Sequence, residues 1–322
     1  NSVTINNNQI TIDPTSDLNA GETYHINYPS GIFTNSSGDL DYVGTAYTFG
    51  VKPYVGYLRA AGNNSEGNLG QNNRTKYSSP VQISGANWLK TSGDGSKTSF
   101  GLKSDGTLWA WGYGNFGVLG LNAITQRSSP TQIPGTTWSD VSSVNYNTVA
   151  VKTDGTLWTW GQNFSGGLGQ NNVTYYSSPV QIPGTTWSKV AGLHNGGLGV
   201  KTDGTLWAWG ENENGQLGQN SKGSPGNHGL SSPVQIPGTT WSTPNPGWKH
   251  ASATKTDGTL WVWGQNDEGQ LGQNEVGSGA KYSSPVQIPG TTWSDVSMTK
   301  GSVVGAIKTD GTLWAWGWNG GG

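Results

Sequence analysis

The chain has no cysteine and a single methionine. Without thiols there can be no disulfide and no thiolate-ligated metal, so stability must come from packing. Charge is scarce too: Asp, Glu, Lys and Arg make up 11% of the 322 residues, and the formal net charge is -2. Nucleic acid and anionic membrane both call for a basic stripe, and the sequence offers none. It also lacks a run of eighteen apolar residues that could cross a bilayer as a helix. Residues 1–20 show no basic start followed by an apolar stretch, so no signal peptide is visible. Hydrophobic residues reach only 32%, and Gly numbers 52. Such a composition borders on that of disordered chains, but those are poor in aromatics, and this one carries 17 Trp. A few large rings supply what many aliphatic side chains usually supply.

What is present is repetition. The string Lys-x-Asp-Gly-Thr-Leu-Trp-x-Trp-Gly occurs five times, ending at Gly112, Gly161, Gly210, Gly264 and Gly317. Between copies lies Ser-Ser-Pro-x-Gln-Ile-x-Gly, followed by Trp88, Trp138, Trp187, Trp241 or Trp293. Gly-x-Leu-Gly occurs five times, closing at Gly70, Gly120, Gly169, Gly218 and Gly272, the last four after a Trp-Gly end. A decayed copy of the first string, Lys52 to Gly62, precedes the rest.

Each repeat reads as four short strands. In the third copy Val180-Gln181-Ile182 is the first, Pro183-Gly184 a turn, and Thr185 to Val190 the second. A third strand ends at Lys201, and Asp203-Gly204 makes a tight hairpin into a fourth, Thr205 to Trp209. Four hairpin-connected strands repeated radially describe a propeller blade, so the expected fold is all-β, a β-propeller of five full repeats and a half. The expected boundaries are 1–50 for a separate β segment and 51–322 for the propeller. The latter divides into a degenerate strand at 51–62, repeats at 63–112, 113–161, 162–210, 211–264 and 265–317, and the start of another at 318–322.

Both rings of a Trp-x-Trp pair point to one face of the strand, and its Leu and central residue to the other. Apolar groups on both faces mean a strand covered on both sides. The expected core is therefore Trp109, Trp111, Trp138, Trp158, Trp160, Trp187, Trp207, Trp209, Trp241, Trp261, Trp263, Trp293, Trp314 and Trp316. A sugar-stacking platform is the alternative use of such rings. Trp248 and Trp318 alone fall outside the repeated positions.

Spacing separates fixed from free parts. Repeat Pro to following Trp is always 8 residues, and Lys to closing Gly always 9, whereas closing Gly to next Pro runs 18, 18, 18, 23 and 21. Variation concentrates in a stretch that the repeat order makes the loop between blades, notably 211–232 and 265–284. Loops on rigid scaffolds carry recognition, which makes Arg74, Lys76, Tyr77, Arg127, Tyr175, Tyr176, Lys222, His228, Lys281 and Tyr282 candidate binding residues. A tolerant solvent-exposed loop is the plain alternative.

The repeated strings Asp-Gly-Thr-Leu-Trp-x-Trp-Gly, Asn-x-x-Gly-x-Leu-Gly and Ser-Ser-Pro-x-Gln-Ile resemble the regulator of chromosome condensation repeat over residues 51–322. The resemblance implies a propeller, typically of seven blades, closed by strands from both chain ends. It departs from the family where a His usually precedes the third strand: only His250 matches, with Thr98, Asn147, Gly196 and Val303 in the other copies. Nucleotide exchange on a small GTPase is not carried over, because the blade insertion and charged face it uses have no counterpart here. The repeats look like bacterial and bacteriophage versions found in large surface or virion proteins.

Residues 1–50 read as three or four alternating strands around Ile10-Thr11-Ile12, Tyr24, Ile32-Phe33 and Tyr47-Thr48-Phe49. They are similar to the C-terminal half of Ig-like domains of bacterial surface proteins. Together with the shortfall in blades, this implies that the chain is part of a longer polypeptide.

Catalysis needs convergent polar groups of tuned acidity. His25, His194, His228 and His250 form no metal-ligating spacing, and the repeated Asp105, Asp154, Asp203, Asp257 and Asp310 suit hairpin turns. The expectation is a non-enzymatic, cofactor-free structural or adhesive module of a virion or cell surface. It would bind protein, including a second copy of itself, with no nucleic acid and no membrane insertion. A soluble protein-binding or inhibitor propeller and a glycan-binding propeller using Tyr77, Tyr175, Tyr176 and Tyr282 are the alternatives.

Overall fold

A computed structural model describes residues 56–93, 97–223, 229–277, 279–299 and 302–320, together with the backbone of four short strands within 2–50. The chain divides into two compact units, Asn1–Gly56 and Tyr57–Gly322. In the first, Ser2–Asn6 pairs antiparallel with Gln9–Asp13, and Thr23–Ile26 with Tyr47–Gly50. The strand expected at Ile32-Phe33 lies outside the described residues.

The second unit is all-β. Its sheets are four-stranded and antiparallel, as in Trp138–Val144, Asn147–Lys152, Leu157–Gly161 and Tyr176–Ile182, taken from inside out. Three more have the same order. One runs from Trp88–Ser92 to Arg127–Thr136, the next from Trp187–Leu193 to Gly229–Ile236, and another from Trp241–Pro246 to Tyr282–Ile288. Before them Arg59–Gly62 pairs with Tyr77–Gln82; after them Trp293–Met298, Val303–Lys308 and Leu313–Gly317 form three strands. Successive sheets meet through their inner strands. Cross-links join them there: Ser143 N–H donates to Ser92 Oγ at 3.0 Å, Gly192 N–H to Ser142 Oγ at 2.9 Å, and Lys189 Nζ to Thr243 Oγ1 at 2.8 Å. These are blades fanned about an axis.

The strands are as read, but their grouping is shifted by one. The Ser-Ser-Pro-x-Gln-Ile strand closes the preceding sheet: Leu157 faces Ile182, Trp158 faces Gln181 and Thr159 faces Val180. The same register recurs at Leu206 with Ile236 and Leu260 with Ile288. Proline explains the placement, since a residue without an N–H is tolerated on an outermost strand. The fixed-length Pro-Gly segment is therefore the crossover between sheets. The variable segment at 211–232 or 265–284 instead joins the third and outer strands of one sheet.

Indole packing holds the fan together. Trp111, Trp160, Trp209 and Trp263 are fully buried, and Trp88, Trp138, Trp187, Trp241 and Trp293 are buried beside them. Each set packs on the leucine side of the sheet before it; Trp138 and Trp160, for example, cluster with Leu102, Leu108, Leu119 and Ile133. The second indole of each pair also donates across the seam, Trp160 Nε1 to Val118 O at 2.8 Å and Trp263 Nε1 to Gln216 O at 2.8 Å. The expectation of a uniform core needs correcting for the first indole. Trp109, Trp158, Trp207 and Trp261 are half-buried at the rim. Trp314 is 49% exposed and Trp316 partly buried, on a sheet with no outer strand among the described residues.

Candidate functional site

The propeller has two unlike faces. One holds the Asp-Gly hairpins and Pro-Gly crossovers, and its repeated residues are engaged with each other. Thr156 donates through its backbone N–H and hydroxyl to Asp154 Oδ1 at 3.0 and 2.6 Å, and its own oxygen accepts Trp158 Nε1 at 2.8 Å. The same three contacts recur at 105–109, 203–207, 257–261 and 310–314. The threonine hydroxyl bond holds each of these five Asp carboxyls below its ordinary pKa. Such an Asp is a turn-forming acceptor. Lys152 Nζ lies 4.8 Å from the Trp138 ring centre and 4.4 Å from that of Trp158, and each repeat lysine is placed likewise. Cation–π attraction thus fixes the half-buried rings.

The opposite, variable face carries the inner-to-second-strand hairpins and the third-to-outer-strand loops. Backbone bonds set each loop beside its hairpin: Tyr113 N–H donates to Lys97 O, Gln162 to Tyr146 O, Glu211 to Asn195 O and Gln265 to Lys249 O. The loops are rigid at their base. Buried Asn163 accepts Leu168 N–H at 2.8 Å and donates to Asn172 O at 2.9 Å, with equivalents at Asn64, Asn212 and Asn266. Each loop also grips the next sheet. Asn171 N–H reaches Ser231 O at 2.7 Å, and Gly166 lies so close to Ser231 that a Cβ would stand 2.5 Å from its Cα.

Two groups of unrepeated residues stand on this face. The first is a chain of rings: Tyr113 to Tyr146 at 5.7 Å, Tyr146 to Phe116 at 5.1 Å, and Phe116 to Tyr175 at 5.9 Å between centroids. Phe116 holds a left-handed φ of 61° and is 37% exposed; Tyr175 is 45% exposed. The second is polar. The Glu211 carboxylate is buried, accepting Asn195 Nδ2 at 2.8 Å, with His194 Nδ1 at 3.2 Å and Lys249 Nζ at 3.9 Å. Burial alone would raise its pKa, but the hydrogen bonds from His194 and Asn195 and the nearby Lys249 charge bring it below the ordinary value. The His194 ring stacks on Trp248 at 4.1 Å.

Of the sequence-predicted binding residues, Tyr175 alone belongs to the ring cluster. Tyr77 and Tyr176 accept loop amides from Asn73 and Asn172 at 3.0 and 3.2 Å, and Tyr282 donates to Glu275 at 3.0 Å, so these three tie their own loops. Arg74 bonds Gln126, Arg127 bonds Thr125 Oγ1 at 2.9 Å, and Lys281 reaches Asn214 Oδ1 at 2.7 Å. Lys76 and Lys222 are exposed, and His228 lies outside the described residues. His250 starts a second strand, buried with neither ring nitrogen bonded to protein; burial pushes its pKa down to about 4.

Sequence reasoning missed Tyr113, Phe116, Tyr146, Glu211 and Lys249. Their signal was divergence at fixed register: the residue after Trp-Gly reads Tyr113, Gln162, Glu211 and Gln265, and the hairpin tip Lys97, Tyr146, Asn195 and Lys249.

The model of the regulator of chromosome condensation (RCC1) repeat matches residues 105–151, 154–193, 203–251 and 257–300, and a second model of that repeat matches 138–166. No curated protein matches the sequence. Human WBSCR16 is similar in structure, with a TM-score of 0.65 at 24% identity over 79% of this chain and 67% of that one. Yeast RCC1 (Prp20) in complex with Kap60 aligns with a TM-score of 0.51 at 15% identity, over 82% and 78% of the two chains. Prp20p from Saccharomyces cerevisiae aligns at 0.52 and 15%, over 82% and 81%. With four matched segments covering more than half of its length, the chain belongs to the regulator of chromosome condensation repeat family.

Proposed function

We propose that this propeller is a non-catalytic protein-binding module that seats its partner on the variable face, around Tyr113, Phe116, Tyr146 and Tyr175. One observation carries this: a ring cluster that exposes Phe116 and Tyr175 stands where the repeats diverge, while the repeated residues of the opposite face are consumed by their own turns. Aromatic residues dominate the energetic centres of protein interfaces. Among the similar structures, one is yeast RCC1 bound to Kap60, and another was described with its binding properties to Gsp1p and histones. Protein partners are thus compatible with this fold.

The setting we favour is the surface of a virion or a bacterial cell. Sparse charge, the bacteriophage-like form of the repeats and the Ig-like resemblance of residues 1–50 support it. A second copy of the chain is an admissible partner. Glycan binding through Tyr77, Tyr176 and Tyr282 has less support, since each of those hydroxyls is engaged within its own loop.

A photo-crosslinking amino acid placed at Phe116, and separately at Asp154 on the opposite face, tests the assignment in the native particle or cell. Crosslinks to a protein are expected from position 116 and not from 154. Equal yields, or crosslinks from 154 alone, would remove the assignment.

A further inference from the structure

The inner strands end around a pocket of about 450 Å³ on the axis of the fan. Five of its ten lining residues bear hydroxyls, namely Thr91, Ser92, Ser142, Ser143 and Thr299, of which Ser143 and Thr299 spend theirs on Asn147 O at 3.3 Å and Val303 O at 3.2 Å, and none of the ten is ionisable. All five sit at or just beyond the ends of inner strands next to the hairpins, so the pocket opens on the variable face. We propose that this axial pocket binds a neutral, hydroxyl-rich small ligand, a sugar of one or two rings.

Size is the first argument, because small-molecule sites fall at roughly 300–1,000 Å³. Chemistry is the second. A hydroxyl offers one donor and two acceptor positions, so a hydroxyl-lined wall complements a ligand whose own groups both donate and accept. A carboxylate or phosphate ligand would call for a cation in the wall, and an ammonium ligand for a carboxylate. Among the described residues the wall has neither, and Lys90 pairs with Asp140 and Lys249 with Glu211. Preorganisation is the third. Ser92 Oγ accepts Ser143 N–H at 3.0 Å and Ser142 Oγ accepts Gly192 N–H at 2.9 Å. Each oxygen is thereby fixed on a strand, and each keeps a proton to give. Groups held in place before binding lose little entropy on binding. Val144 and Met298 add apolar surface for the C–H face of a sugar ring. Nothing here relies on the protein-binding assignment. The wall residues differ from those of the ring cluster, so either can fail while the other stands.

The test is saturation-transfer NMR and calorimetric titration of the full chain with glucose, galactose, N-acetylglucosamine, maltose and cellobiose. Glucuronate and glucosamine serve as charged controls. Saturable binding of at least one neutral sugar is expected, and weaker binding of both controls. Thr91 is exposed, so Thr91→Trp should fold with an unchanged melting temperature, fill the pocket and weaken binding by about tenfold or more. Thr91→Val, which removes an exposed hydroxyl and keeps the side chain's shape, should weaken it by roughly threefold to tenfold and decides the matter if Thr91→Trp does not fold. The proposal is overturned if no neutral sugar saturates, if the charged controls bind equally well, or if binding survives these substitutions in folded protein.

Discussion

Trp158 and Trp160 sit two residues apart on one side of one strand, yet they do different work. Trp160 is fully buried and bonded to the neighbouring sheet, whereas Trp158 is half-buried at the rim beneath Lys152. Trp160→Ala should cost about 3–5 kcal/mol, and Trp158→Ala roughly 1–2, as measured by denaturant unfolding. His250 makes a pH-dependent contribution. The folded chain keeps this imidazole neutral down to about pH 4, whereas an unfolded chain protonates it near 6.5. Between those values the unfolded state takes a proton that the folded state refuses, so stability falls with pH, on the order of 3 kcal/mol by pH 4. His250→Thr, matching Thr98 at the same register, should remove that loss from a melting-temperature profile over pH 4–7. The turn aspartates act lower: their contribution is present above the ordinary carboxylate value and disappears as pH falls through their lowered ones. Phe116 is held at positive φ, which costs a side-chain-bearing residue about 1–2 kcal/mol. Phe116→Gly should therefore leave the protein at least as stable, by thermal melting, while weakening partner capture.

Among elements, the loop that follows the third strand gives each blade its grip on the next. Gly166 must remain glycine for that grip, since its φ is +73° and a Cβ would collide with Ser231. Gly166→Ala should destabilise by about 1–3 kcal/mol, whereas Gly305→Ala, where a Cβ meets nothing within 4 Å, should be nearly neutral in the same unfolding assay. Strand identity and the blade architecture were legible because Trp-x-Trp alternation and Asp-Gly turns are local signals. Which sheet receives Ser-Ser-Pro-x-Gln-Ile was not, because pairing is a tertiary choice and this strand lies between two candidate partners in sequence. Constant length suggested a hairpin and variable length a link. In the fold, the constant length reflects a fixed step from blade to blade, and the variable length is a surface excursion within one blade. The candidate site was the least legible part. Basic residues and tyrosines such as Arg74 and Tyr77 stand out in the loops but brace them, while Tyr113 and Tyr146 gain meaning only when two sheets bring them to 5.7 Å.

At the scale of the molecule, the repeats separate two tasks. Residues shared by all copies build the seams and the Asp-Gly face, and residues that differ gather on the other face. Phe116 and Tyr175 are exposed and contribute little to a fold that is complete beneath them, which is why the ring cluster is proposed as a recognition site. The most direct test is a thermal-denaturation comparison of Tyr113→Ser/Phe116→Ser/Tyr146→Ser/Tyr175→Ser with Trp160→Ala. If recognition and folding use separate residues, the fourfold variant should melt within a few degrees of the parent while the single tryptophan variant falls by roughly 10 °C. A fourfold variant that melts as low as Trp160→Ala would show that the ring cluster is part of the core, and would contradict its assignment to partner binding.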